Sequence, residues 1–287
     1  MPDRDGYIPG VPCWVDTNQP DPAAALAFYR ELFGWEFEDV APAGSGTTYA
    51  IGRIRGRDAG AVSSLAPGEP PVAKWNTFVW VEDADETAAR ARNVGGTVVA
   101  EPFEVPEAGR MAVIADPEGA VFCIWQPRGH KGAKVVNEHG SVNFNGLATR
   151  DPEGARAFYG AVFGWKSLEL PSGISWTLPG YGDHLEEINP GVRAMMSQMG
   201  APEGFIDVVA TLQPIADGDS ESQPGWSVTF AVDDVATAAT RARQLGGEVV
   251  AGPFDAPWCR MAVITDPQGA TFIASQFVLE NRDLVAH

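Results

Sequence analysis

Nine residues, Ala27-Phe-Tyr-Arg-Glu-Leu-Phe-Gly-Trp35, return 130 positions later as Ala157-Phe-Tyr-Gly-Ala-Val-Phe-Gly-Trp165. Each copy follows an Asp-Pro pair, Asp21-Pro22 and Asp151-Pro152. A second block repeats too: Arg110-Met-Ala-Val-Ile-Ala-Asp-Pro-Glu-Gly-Ala-Val-Phe122 against Arg260-Met-Ala-Val-Ile-Thr-Asp-Pro-Gln-Gly-Ala-Thr-Phe272. A chain of 287 residues with this self-similarity has to fold as two tandem copies of one design. The expected division is a first domain over 1–127, a linker over 128–140 and a second domain over 141–287.

Each copy divides again. Residues 75–81 are aromatic and β-branched and alternate like a strand. Asp83 then caps an Ala/Arg-rich helix over 84–94, stopped at Gly95-Gly96. Strands over 97–100, 111–115 and 121–126 follow, with Asp116-Pro-Glu-Gly119 as the last turn. The second copy predicts the same series: a strand over 226–232, a helix over 234–245, and strands at Val249, Met261 and Thr271. The unit is βαβββ, used four times, two per domain. A helix after the first strand and then a meander indicates an α+β fold, with curved mixed sheets around concave cavities.

One segment, 183–200, has no counterpart in the first copy. It predicts a broken helix: Asp183 and Glu186 have capping-box spacing, and Asn189-Pro190 restarts the helix. Val192, Met195, Met196 and Met199 make an apolar stripe. Such a stripe suits an adaptable binding surface as well as simple packing on the sheet. The acidic loop 213–225 has the composition of a mobile segment.

A net charge of −18 opposes binding to nucleic acid or to an anionic membrane, and no apolar run is long enough to span a bilayer. The first residues, Met1 to Tyr7, lack a basic patch followed by an apolar stretch, so no secretory signal is expected. Cys13, Cys123 and Cys259 are odd in number and far apart, which fits free thiols in a reducing cytoplasm.

With the Ala-x-x-Phe-Tyr helix, the Phe-Gly-Trp at its end, the Gly-Gly helix stop and the Asp-Pro-x-Gly turn in both copies, the chain resembles the vicinal oxygen chelate superfamily. That group includes glyoxalase I, extradiol dioxygenases and bleomycin-resistance proteins. The two-domain Phe-Gly-Trp pattern is similar to an actinobacterial subfamily with relatives in antibiotic clusters, anthracycline ones among them. The resemblance implies His, Gln or Glu metal ligands at fixed places. Those places hold Trp14, Asn76 and Cys123 in the first copy, and Phe144, Ser227 and Ile273 in the second. The fourth finds only Ser63 and Ser64. None of the six is a histidine or carboxylate, so no metal and no cofactor are expected. His130, His139, His184 and His287 stand in no metal-binding spacing.

Strand alternation puts residues two apart on one face. The first cavity face then reads Trp14 and Asp16, Asn76, Phe78 and Trp80, with Cys123 and Trp125. The second reads Phe144 and Gly146, Ser227, Thr229 and Ala231, with Ile273 and Ser275. Trp258 and Met195 are further candidates for a cavity mouth and a binding helix, whereas Trp35 and Trp165 follow helices and are expected to be structural. The first face is large and aromatic, suited to stacking on a flat ligand or to packing as core. Asp16 is its one carboxylate, a candidate polar anchor or, if desolvation raises its pKa, an acid/base.

The expected function is metal-independent binding of a small aromatic or polycyclic natural product, for sequestration or as a biosynthetic accessory. The alternative is a metal-independent isomerase, cyclase or lyase. The loss of ligand positions disfavours a metal-dependent glyoxalase or dioxygenase. Two fused domains can replace a dimer of single domains, so a monomer or a homodimer is expected.

Overall fold

A computed structural model describes residues 4–42, 44–66, 68, 70–170 and 173–284. The first half contains β1 (Pro12–Gln19), α1 (Pro22–Phe33), β2 (Glu36–Asp39), β3 (Tyr49–Ile54) and β4 (Arg57–Ser64), followed by β5 (Lys74–Trp80), α2 (Ala84–Asn93), β6 (Thr97–Val105), β7 (Gly109–Ala115) and β8 (Val121–Pro127). The second half repeats this with β9 (Val142–Thr149), α3 (Pro152–Phe163), β10 (Lys166–Leu170) and β11 (Gly173–Thr177). Two inserted helices follow, α4 (Tyr181–Ile188) and α5 (Val192–Met199), before β12 (Val208–Pro214). The last unit is β13 (Gly225–Ala231), α6 (Val235–Gln244), β14 (Glu248–Ala256), β15 (Cys259–Thr265) and β16 (Thr271–Phe277).

Each half forms one open, eight-stranded mixed sheet, in the orders β2-β3-β4-β1-β5-β8-β7-β6 and β10-β11-β12-β9-β13-β16-β15-β14. Two βαβββ units therefore meet within one half, through the antiparallel pairs β1/β5 and β9/β13. Helix entry is locally encoded: the Asp21, Asp83, Asp151 and Asp234 side chains each accept a backbone N–H of the first turn. Gly34 and Gly164 end α1 and α3 in the left-handed region, which L side chains avoid.

The halves pack through their helices and at the sheet centres, where Thr77 donates to Asn145 Oδ1 at 2.8 Å, and the repeated motifs carry much of the packing. Phe33 of α1 lies 4.8 Å from Phe230 of the second sheet, and Phe163 of α3 lies 5.8 Å from Phe122 of the first. Tyr29 donates its hydroxyl to Asp266 Oδ2 at 2.8 Å, and Tyr159 donates to Asp116 Oδ2 at 3.0 Å. The Trp35 indole donates to Gly140 O at 2.8 Å, just before β9, and Trp165 donates to Gly10 O at 2.7 Å, just before β1. Each bond crosses to the opposite half, and its partner repeats it in reverse. A methyl group at Gly52 would overlap the Trp35 ring, so the close approach there requires glycine. Buried polar groups left unpaired are costly, and here the turn carboxylates satisfy the tyrosines. No helix among the described residues is long and apolar enough to cross a membrane.

Candidate functional site

Strand register collects alternating residues of each sheet on one face. On the first, β1, β5 and β8 place Trp14, Asp16, Asn76, Phe78, Trp80, Cys123 and Trp125 together, in registers that pair Trp14 with Phe78 and Trp80 with Trp125. The chain itself fills that face. Residues 128–134 turn back across it, and the His130 ring lies edge-on to Trp14 at 4.4 Å and to Trp125 at 5.8 Å. Trp125 Nε1 donates to His130 O at 2.9 Å, Ala133 N to Cys13 O at 2.8 Å, and Tyr7 Oη to Ala133 O at 2.7 Å. Trp14 and Trp125 are 4% and 5% exposed as a result. Sequence read 128–140 as connection only; nothing local marks a segment that packs into a sheet.

Asp16 belongs to a closed polar cluster on this face. Asn76 donates to its Oδ1 at 2.7 Å, and Tyr49, itself receiving the Trp14 indole N–H, donates to its Oδ2 at 3.2 Å. Burial pushes the carboxyl up to about 6, against the lowering effect of those hydrogen bonds. The same burial holds the Cys123 thiol protonated and pushes His130 down to about 4.

The second concave face encloses a cavity of about 950 Å³. Phe144, Ser227, Thr229, Ile273 and Ser275 form its floor, as alternation predicts, and Trp258 and Phe277 stand at one side. Smaller residues make the room: Thr229 stands where the first half has Phe78, and Ser275 where it has Trp125. Helices α4 and α5, inserted between β11 and β12, form the roof with Tyr181, Leu185, Ile188, Val192, Met196 and Met199, and Phe205 and Ile206 follow them. Residues before β1 close the remaining wall, with Arg4, Tyr7 and Val11.

Two expectations about the roof are corrected. Asp183 and Glu186 do not form a capping box, because α4 starts at Tyr181 and its N-cap is Gly180, with no side-chain cap. Glu186 instead accepts the N–H groups of Gly191 at 2.7 Å and Arg193 at 3.0 Å, so it caps α5. The helix restarts after Gly191 rather than at Asn189. Val192, Met196 and Met199 face the cavity, while Met195 is 43% exposed and outside it. Arg4, Tyr181, Leu185 and Phe205 were not legible as site residues, since nothing periodic brings them to the floor strands. The loop 213–225, read as mobile, is tied by Arg150, which donates to the carbonyls of Asp219 and Ser222.

The cavity wall is apolar with scattered amides and hydroxyls. No histidine, aspartate or glutamate lines it among the described residues, and no cluster of three or more His, Cys, Asp or Glu could hold a metal among them. Phe144, Ser227 and Ile273 occupy the floor at the family's ligand positions, and this donor set does not fit a divalent ion. Burial pushes the Cys259 thiol up, so it is no ready thiolate. Among the histidines, His139 accepts the Asp233 N–H, His184 lies on α4, and His287 is outside the described residues.

A model described as the glyoxalase-like domain matches residues 14–125 and again 141–274, and the chain belongs to that family. It is similar to "Putative glyoxylase CFP32" of Mycobacterium tuberculosis, 36% identical over 95% of this chain and 97% of the relative. It is also similar to the anthracycline biosynthesis protein DnrV of Streptomyces peucetius, 32% identical over 93% of each. Among solved structures, the Mn(II)-bound glyoxalase of Novosphingobium aromaticivorans matches with a TM-score of 0.59 and 17% identity, over 94% of this chain and 83% of that one. The 2,3-dioxygenase LapB of Pseudomonas sp. KL28 gives 0.57 and 14%, over 94% and 93%. At that identity the two structures speak for the fold alone.

Proposed function

We propose that this chain binds a small aromatic or polycyclic natural product in the second-half cavity, without a metal ion. The cavity carries the reading. Its volume of about 950 Å³ is at the upper end for small-molecule sites, roughly 300–1,000 Å³, and an apolar wall with a few polar groups is what such sites use. Phe144, Phe205, Trp258 and Phe277 offer ring faces or edges, each good for about 0.5–1.5 kcal/mol beyond burial when paired with a flat ligand. Methionines on the roof adapt to irregular outlines. The anthracycline biosynthesis relative makes fused-ring polyketides the first class to try, in an accessory or sequestering role.

The test is quenching of tryptophan fluorescence by a panel of aromatic polyketides. Saturable binding at about 1 µM or tighter, near −8 kcal/mol, is expected, with weaker binding in Trp258→Ala and Met196→Ala. Absence of a saturable response across the panel would remove the reading.

A second reading has one observation in its favour: the Asp16 carboxyl, raised to about 6, has the acidity of an acid/base group for isomerase, cyclase or lyase chemistry. Against it, Asp16 is 5% exposed and both of its oxygens are engaged. Product formed in EDTA-treated protein and lost in Asp16→Asn would establish it.

A further inference from the structure

The cavity wall has one ionised side chain among the described residues, and it is a cation. Arg4 lies in the segment before β1 and reaches the roof of the second half. It is 7% exposed. Its guanidinium centre lies 5.0 Å from the Tyr7 ring centroid and 5.9 Å from that of Tyr181, the first residue of α4. Nη1 donates to the Tyr181 hydroxyl at 3.0 Å, and the backbone N–H holds Lys134 O at 3.1 Å.

A guanidinium has five N–H donors and stays charged at any ordinary pH. Burying one is costly unless an anion or good acceptors meet it. Among the described residues no carboxylate pairs with Arg4, and the one side-chain acceptor it has is a neutral phenol. The chain has 38 acidic residues, yet none of the described ones lines this cavity. In a protein of net charge −18 the lining of this site is cationic among the described residues.

Resting on the binding reading above, we propose that the ligand is an aromatic acid: a flat apolar frame with a carboxylate, sulfonate or phenolate oxygen that docks on Arg4. The frame lies against the methionines and rings, and the anion lies between Tyr7 and Tyr181. Because Arg4 precedes β1 and Tyr181 opens the roof, the anion also ties the leading segment of the chain to α4. Charge-assisted bonds of this kind are shorter and about twice as strong as neutral ones.

The test compares two naphthalene fluorophores that differ by a sulfonate, 1-anilinonaphthalene-8-sulfonate and neutral N-phenyl-1-naphthylamine, titrated into the full chain. The wild type is expected to bind the sulfonate at least tenfold more tightly, 1.4 kcal/mol. Arg4→Met is expected to abolish that preference while holding the neutral probe within about threefold, and Arg4→Lys to keep most of it. Filling the floor with Ser275→Trp is expected to weaken both probes. A preference unchanged in Arg4→Met overturns the proposal, as does equal binding of both probes by the wild type; in either case the binding reading stands. Failure of both probes to bind the wild type overturns that reading and the role of Arg4 with it.

Discussion

Trp125 and Ser275 occupy the same position in two copies of one sheet, and around them the halves diverge. Beside Trp125 stand Trp14, Phe78 and the returning His130, and the face is packed. Beside Ser275 stand Phe144 and Thr229, and two inserted helices arch over a cavity. The βαβββ pair therefore makes a concave face in both halves, and side-chain volume at a few floor positions decides whether it becomes core or site. Interiors are close-packed, so even a few large side chains suffice to consume such a space. The opposite side of each sheet is under the reverse constraint: Tyr29 with Asp266 and Tyr159 with Asp116 are duplicated because both halves need the same joint.

That comparison can be broken at the joint first. Asp116→Ala or Asp266→Ala leaves a buried tyrosine hydroxyl and two turn N–H groups without their acceptor, and Asp266→Ala also strands the buried Gln19 amide, at about 1–3 kcal/mol per unmet group. A loss of about 4 kcal/mol is expected for either, read by urea unfolding, and a much smaller loss in one would show that the joint is not symmetric.

Converting the open half into the closed one is the next test. Thr229→Phe with Ser275→Trp imports the first-half floor, and ligand affinity should fall about 100-fold, 2.7 kcal/mol, with the fold retained by circular dichroism. The reverse conversion is His130→Ala. It removes a ring packed against two tryptophans, at about 2 kcal/mol, and the space left should admit a small aromatic such as indole, visible as a second binding event by calorimetry. In the wild type, unfolded His130 takes a proton near 6.5 while the folded ring resists until about 4. Its contribution is therefore present at neutral pH and is lost as pH falls through that window, a slope the variant should lack.

The smallest expected effect belongs to Asp16→Asn. The folded carboxyl keeps its proton up to about 6, against 3.8 for the ordinary group. Its contribution is complete at low pH and is lost as pH rises between those values. Stability measured against pH in the variant should lack that downward slope and stand on the order of 1 kcal/mol above wild type at pH 8, after discounting for the Asn76 bond that the amide must remake. An unchanged slope would show that Asp16 is ionised throughout.

Much of the fold was legible because its signals are local. The strand expected over 75–81 is Lys74–Trp80, the helix expected over 84–94 is Ala84–Asn93, and that over 234–245 is Val235–Gln244, each decided by alternation, an Asp cap and a glycine stop within a few residues. Alternation also placed Phe144, Ser227, Thr229, Ile273 and Ser275 on one face, and they are the cavity floor. Met195 was misplaced because a 3.6-residue period puts positions 192, 195, 196 and 199 on one stripe, and only packing against the sheet decides which edge of it faces inward.

By itself the chain's order of residues determined the repeat, the four βαβββ units and the alternating faces, since these depend on backbone preferences within a few residues of one another. Only the tertiary structure decided that His130 would fill one concave face, that α4 and α5 would roof the other, and that Arg4 would meet Tyr181, 177 positions away. Those outcomes follow from which buried volumes and charges can be satisfied together once distant segments are in contact, and no local spacing records that.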